Sequence, residues 1–296
     1  MHFVDAKGIL NKNGGFCGMN VYRGCTHGCI YCDGRSNCYQ LKHKFEDIEV
    51  KQNAPELLDK ALKSKRKKCM IGTGYISDPY LHCEEEIKLT QRCLKVILKN
   101  EFGLAIQTKS DRILRDIDLL DEINKTSKCV VQMTLTTYDD ELCKIIEPNV
   151  CNTKRRIEVL EEMQKRDIPT VVWLSPLLPF INDTKENVQA ILEECARVKV
   201  KGIVNCGMGV TLREGDREYF YEALDKHFPG LKQKYIETYG YAYEILSPNA
   251  KELSELFRYF CKEKGIMYKA DDVFAYMNEY PEKYKQLSLF EVTNYK

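Results

Sequence analysis

Tyr22-Arg23-Gly24-Cys25-Thr26-His27-Gly28-Cys29-Ile30-Tyr31-Cys32 sets three cysteines at Cys-x3-Cys-x2-Cys spacing. Thiolates this close along the chain can wrap one compact metal centre. A cubane cluster has four irons, so three protein ligands leave one iron open to an exogenous molecule. An open site implies chemistry, whereas four protein thiolates usually mean electron storage or structure. Gly24 and Gly28 permit the tight backbone path such a centre needs. Structural zinc is the competing reading, with Cys17, His27 or Cys38 as the fourth ligand. Zinc sites, however, usually use two ligand pairs separated by a longer loop. The spacing favours the open cluster, with Cys25, Cys29 and Cys32 as its ligands and His27 turned to solvent or to a local hydrogen bond.

Outward from this loop, short apolar runs alternate with amphipathic segments. Strands are expected at Phe16–Tyr22, Lys68–Gly72, Leu104–Thr108, Val130–Leu135, Thr170–Leu174 and Gly202–Cys206. Helical periodicity follows, with Ile87, Leu94, Ile97 and Leu98 on one face of Glu84–Asn100. Lys154–Arg166 and Asp183–Val198 show the same pattern, the latter opened by Asp183 with Glu186 as a capping pair. Strand-then-helix units with short connections argue for a parallel sheet, because parallel strands need helical crossovers. Periodicity does not say whether that sheet is open or curled into a partial barrel. Beyond Pro229 the pattern is wholly helical, clearest at Lys251–Lys264 and Asp272–Glu279. The expected organisation is an α/β domain over 1–228, a helical C-terminal extension over 229–280 and a tail over 281–296.

The chain has 296 residues, with Lys+Arg 45 against Asp+Glu 44 and a net charge of +1. That balance excludes a globally basic nucleic-acid coat. Hydrophobic content of 44% with 30% charged residues suits a globular chain. The longest apolar stretch, Val171–Ile181, contains Pro176 and Pro179 and is too short to span a bilayer. Met1–Leu10 has no basic region followed by an apolar one, so a cytoplasmic location is expected. There are 14 cysteines; those outside the Cys17–Cys38 cluster are expected to be small buried hydrophobes.

The cysteine spacing, with an aromatic before the third cysteine and a strand before the first, resembles the radical S-adenosylmethionine superfamily. The resemblance implies a partial (β/α)6 barrel with a [4Fe–4S] cluster and S-adenosyl-L-methionine as cofactors. It also implies reductive cleavage of that cofactor to a 5′-deoxyadenosyl radical, and a reductant such as flavodoxin or ferredoxin. It implies cofactor-binding roles for Tyr31 by the adenine and for Gly72, Thr73 and Gly74 at the methionine amino group. Lys109 with Ser110 would meet the methionine carboxylate, Thr134 and Thr136 the ribose, and Ser175 follows the fifth strand.

Tyr22-Arg23-Gly24-Cys25, Ser77-Asp78-Pro79-Tyr80 and Thr108-Lys109-Ser110 are similar to the spore photoproduct lyase family and its relatives. That likeness implies a DNA or nucleic-acid lesion as substrate. Two positions depart from it. The lyase's hydrogen-donating cysteine falls at Tyr75, and its second tyrosine beside the third cluster cysteine is Asp33. Tyr75 as a redox side chain, or Cys83 from nearby, are the candidate replacements. The alternatives are a radical activase or modifier of a protein or small molecule, and a non-enzymatic iron–sulfur or zinc accessory protein of a DNA complex. Gln286-Leu287-Ser288-Leu289-Phe290 resembles the peptide by which bacterial DNA polymerases and repair proteins dock on the sliding clamp. The other reading is that its apolar residues pack back onto the barrel.

Overall fold

The structure is a computed structural model and describes residues 1–13 and 16–281. The Gln286–Phe290 peptide lies outside the described residues. The main sheet contains β1 (Leu10–Asn13), β2 (Phe16–Met19), β3 (Met70–Thr73), β4 (Gly103–Thr108), β5 (Cys129–Thr134), β6 (Thr170–Trp173) and β7 (Gly202–Val204). These seven strands lie side by side in sequence order. β2 to β7 are all parallel, and β1 adds antiparallel to β2 as a hairpin edge. The six expected strands are thus the six parallel ones. β3 and β5 are buried along their whole length and β4 nearly so. A sheet covered on both faces favours such largely apolar runs, with Gln107 and Gln132 as the interior polar exceptions.

Side chains alternate across a strand, and that alternation divides the molecule. Leu104, Ile106, Cys129, Val131, Met133, Val172 and Ile203 join the large core beneath the helices. The intervening Met70, Ala105, Val130, Val171 and Val204 face the other way and pack with Val273 and Met277. Those two belong to the helix Ala270–Asn278, which plugs one end of that face. Two or four residues further along β3, β4, β6 and β7, the same face carries Gly74, Gln107, Lys109, Trp173, Ser175 and Cys206 into an open cavity.

Several expected elements differ in detail. Phe16–Tyr22 is not one strand: the chain leaves the main sheet after Met19, and Tyr22–Arg23 pairs with Glu49–Lys51. Glu49–Lys51 in turn pairs parallel with His2–Val4. Glu84–Asn100 is broken at Lys88, whose φ of 52° separates Glu84–Ile87 from Leu89–Lys99. The helix Lys185–Arg197 is capped by Thr184, whose hydroxyl accepts from the Asn187 amide, and not by Asp183. Asp183 is instead a buried acceptor for the Ser247 hydroxyl. Nor is the chain wholly helical beyond Pro229, since Glu244–Leu246 pairs antiparallel with Gly209–Thr211. This pairing and the packing of Ala250–Lys264 on Lys185–Arg197 bind the C-terminal segment to the barrel. Among the described residues no helix is long and apolar enough to cross a membrane.

Candidate active site

The cysteine loop is clamped on both sides. The Cys25 amide donates to the Phe45 carbonyl at 2.9 Å, and the Ile30 amide donates to the Ile146 carbonyl at 3.0 Å. Gly24 sits at φ +90°, where a Cβ would stand 2.4 Å from the Phe45 oxygen, so only glycine permits this approach. The loop delivers Cys25, Cys29 and Cys32 to the wall of a cavity of about 420 Å³ at the C-terminal ends of the parallel strands. All three are free thiols. Burial pushes each up, Cys25 to about 12. Thiols so desolvated ionise only beside compensating positive charge, which a metal centre brings. The set therefore suits a thiolate-ligated cluster.

Behind the loop is a buried network absent from the motif. The Tyr31 hydroxyl donates to Glu147, which pairs with Arg156 at 2.6 Å, both side chains fully buried. Arg156 also donates to the carbonyls of Cys151 at 2.9 Å and Thr134 at 3.1 Å. Tyr31 is thus tethered by its hydroxyl while its ring lines the cavity. Lys109 is desolvated, yet Cys29, Glu147 and Cys32 outweigh that cost and hold its ammonium above its ordinary value. Its Nζ lies 5.9 Å from the Tyr31 ring centre. It is a cavity-lining cation beside the cysteines.

Asp78 ties the ends of β3 and β4 together. One oxygen accepts from the Tyr80 amide at 2.8 Å and the Thr108 hydroxyl at 2.7 Å. The other accepts from the Lys109 amide at 2.8 Å. His27, expected to face solvent or make a local hydrogen bond, does not face solvent: it is 2% exposed and lines the cavity. Burial pushes it down to about 4, so it is neutral near pH 7. Its Nδ1 stands 3.5 Å from Asp78, and among the described residues its Nε2 has no hydrogen-bond partner. The Thr26-His27-Gly28 turn folds the ring inward, which local spacing does not reveal.

Of the remaining expected site residues, Gly74, Tyr75 and Ser175 line the cavity with Tyr31 and Lys109. Gly74 sits at φ +98° with a Cβ position 1.9 Å from the Gln107 oxygen. The space beside Gly72 is taken by the Phe16 ring, and Thr73 is buried within β3. Ser110 caps the turn Asp111–Asp116. Thr134 is a buried acceptor for Gln107, and the carbonyl of buried Thr136 accepts from Asn182 and Asn187. Cys83 stands before the short helix Glu84–Ile87, away from the cavity wall, and burial pushes it to about 11. Tyr75 accepts from the Gln132 amide at 3.1 Å, and Gln132 accepts from the Trp173 indole at 2.9 Å. Cys206, expected among the buried cysteines, is exposed on the cavity wall just beyond β7. Its place at a strand end was the available signal.

The Radical SAM superfamily model matches residues 19–195. An uncharacterized protein of Methanocaldococcus jannaschii is 34% identical over 232 residues, covering 77% of this chain and 78% of the relative. An uncharacterized protein of Mycobacterium tuberculosis is 26% identical over 271 residues, 85% of this chain and 77% of its own. Among solved structures, a spore photoproduct lyase mutant with bound AdoMet and dinucleoside spore photoproduct superposes with a TM-score of 0.61. It is 14% identical and covers 85% of this chain and 75% of its own.

Proposed function

The chain belongs to the radical SAM superfamily, whose cofactors are a [4Fe–4S] cluster and S-adenosylmethionine, and from that premise we propose that it is a radical enzyme acting on a nucleic-acid lesion. The observation that carries the site assignment is the convergence of Cys25, Cys29, Cys32 and Lys109 on one cavity at the strand ends. In this reading the three cysteines hold three irons of the cluster. When bound, the two cofactors supply a 5′-deoxyadenosyl radical. Lys109 pairs with the methionine carboxylate, the Gly74 backbone admits the methionine amino group, and the tethered Tyr31 ring lies by the adenine. Asp78 positions Lys109 by holding its backbone amide.

A nucleobase as substrate is supported by the exposed apolar rim of the cavity. Tyr75, Ile76 and Leu246 line it and are 40%, 39% and 54% exposed, the Tyr75 ring offering a face on which a base can stack and the two aliphatic side chains an apolar flank. Tyr75 and Cys206 are the groups on this wall fitted to return a hydrogen atom. The peptide Gln286–Phe290 would tether the enzyme to a sliding clamp, compensating for a net charge of only +1.

Anaerobic reconstitution with dithionite and S-adenosylmethionine should yield 5′-deoxyadenosine, and alanine at Cys25, Cys29 or Cys32 should abolish both cluster and product. Lys109→Ala should weaken cofactor binding by about ten- to a hundredfold with cluster absorbance unchanged. Deuterium placed in candidate DNA lesions should enter 5′-deoxyadenosine. Cofactor cleavage that proceeds with no transfer from any lesion would remove the nucleic-acid reading. A fluorescent peptide of residues 284–296 should bind bacterial clamp, and lose binding when Leu289 and Phe290 are both alanine.

A further inference from the structure

We propose that His2, His43 and Glu49 form a second metal site, independent of the cysteine loop, for one divalent transition-metal ion of the zinc type. His2 and Glu49 face each other in register on the small N-terminal sheet, and His43 lies in the segment that leads into it. One ligand atom from each lies within 4.8 Å of the others. The two imidazole rings meet edge-on at 86°, with centres 4.8 Å apart.

The hydrogen bonds assign the tautomers. His43 Nδ1 is 3.0 Å from the Lys44 carbonyl, which can only accept, so Nδ1 carries the proton and Nε2 presents a lone pair. His2 Nδ1 is 3.1 Å from an Asp47 oxygen, again an acceptor, which leaves its Nε2 free. Metal-bound histidines are held in this way, the second ring nitrogen donating to a carboxylate or carbonyl. His43 Nε2 is buried and, among the described residues, has no hydrogen-bond partner. It stands 3.8 Å from the Glu49 carboxylate, too far for a hydrogen bond. A cation among the three groups satisfies the stranded lone pair and the carboxylate together.

Two imidazole nitrogens and a carboxylate oxygen, with no sulfur, suit zinc and its first-row neighbours and leave a position for water. Ligand atoms in a tetrahedral zinc site stand about 3.3 Å apart, so the widest separation in the trio needs to close by up to about 1.5 Å. His2 is 39% exposed and gives the ion a route in. The site also bears on the cysteine loop. The segment between His43 and Glu49 supplies the Phe45 carbonyl that holds the Cys25 amide, and Glu46, which pairs with Arg35 at 2.6 Å. A bound ion would brace this segment from behind.

The test uses the full chain with its cluster reconstituted anaerobically, treated with chelator and then dialysed against zinc. Zinc and iron are counted by mass spectrometry, and the zinc ligands are read by X-ray absorption. One zinc per chain beyond the iron is expected, with nitrogen and oxygen neighbours only. His43→Ala and Glu49→Gln should each weaken zinc binding by at least about a hundredfold, and Asp47→Asn by about ten- to a hundredfold, with iron content unchanged. Should His43→Ala fold poorly, Glu49→Gln, which keeps the side-chain shape, decides. No zinc retained, sulfur in the zinc shell, or wild-type affinity in Glu49→Gln overturns the site. None of these readouts depends on the radical reaction.

Discussion

Glu147→Gln isolates the charge behind the cysteine loop. The amide keeps the shape of the side chain and an acceptor for the Tyr31 hydroxyl, so what is lost is the negative partner of Arg156. Arg156 retains its bonds to the Cys151 and Thr134 carbonyls but becomes an uncompensated cation in a fully buried position. Breaking one side of a buried pair costs about 3–5 kcal/mol, a large share of the roughly 5–15 kcal/mol that holds a domain together. Replacing both partners, Glu147→Leu with Arg156→Met, should recover most of that loss. Burial by itself would raise the Glu147 carboxyl, but Arg156 and Lys109 outweigh it and hold it below its ordinary 4.5. With the folded value depressed, the stabilisation is present above the unfolded value and is lost as pH falls through the folded one. The difference between wild type and Glu147→Gln should therefore be constant from pH 7 to about pH 5 and shrink only in stronger acid. Urea unfolding followed by circular dichroism under anaerobic conditions measures it. A difference under about 1 kcal/mol at pH 7, or one already fading between pH 7 and pH 5, would refute the assignment of a charged pair.

Gly74→Ala should cost roughly 3 kcal/mol or more, combining left-handed strain with a clash against the Gln107 backbone. Gly230→Ala, also at positive φ but with nothing within 4 Å, should cost about 1–2 kcal/mol; equal melting temperatures for the two variants would show the clash is absorbed. Burial, with Asp33 adding, pushes Asp216 up to about 6 from 3.8, so its ionisation is penalised in the folded state. That stability is fully present below about pH 4 and lost as pH rises through 6, a change of about 2–3 kcal/mol. Asp216→Asn should flatten this slope in urea midpoints taken between pH 4 and pH 7. Among the described residues Cys206 and Cys38 are the exposed thiols, so iodoacetamide should label them first, and S-adenosylmethionine should shield Cys206 alone. Shielding of neither, read by peptide mass spectrometry, would place Cys206 outside the reaction space.

The features that depend on near neighbours along the chain could be read from the sequence by itself. Cys25, Cys29 and Cys32 sit close enough that their spacing alone says they can share one centre. The six parallel strands announced themselves because a strand buried on both faces is mostly apolar, as in the stretch from Cys129 to Thr134, where only Gln132 and Thr134 are polar. Strand-end positions such as Lys109 and Ser175 followed from that register. Tertiary structure decided everything that required distant residues to meet. Glu147 and Arg156 are ordinary charges in the sequence and become a sealed pair only when the segment after β5 folds over the cysteine loop. Gly72 looked like a place for a ligand until the Phe16 ring of the neighbouring strand filled it. Gly209–Thr211 and Glu244–Leu246 are too short to show a period of their own, and their pairing depends on the helices between them turning back. His2, His43 and Glu49 likewise carry no common spacing, because a parallel pairing of the chain's first strand with Glu49–Lys51 is what brings them together. Periodicity and spacing report local geometry, whereas burial of a charge or convergence of ligands is a property of the assembled fold.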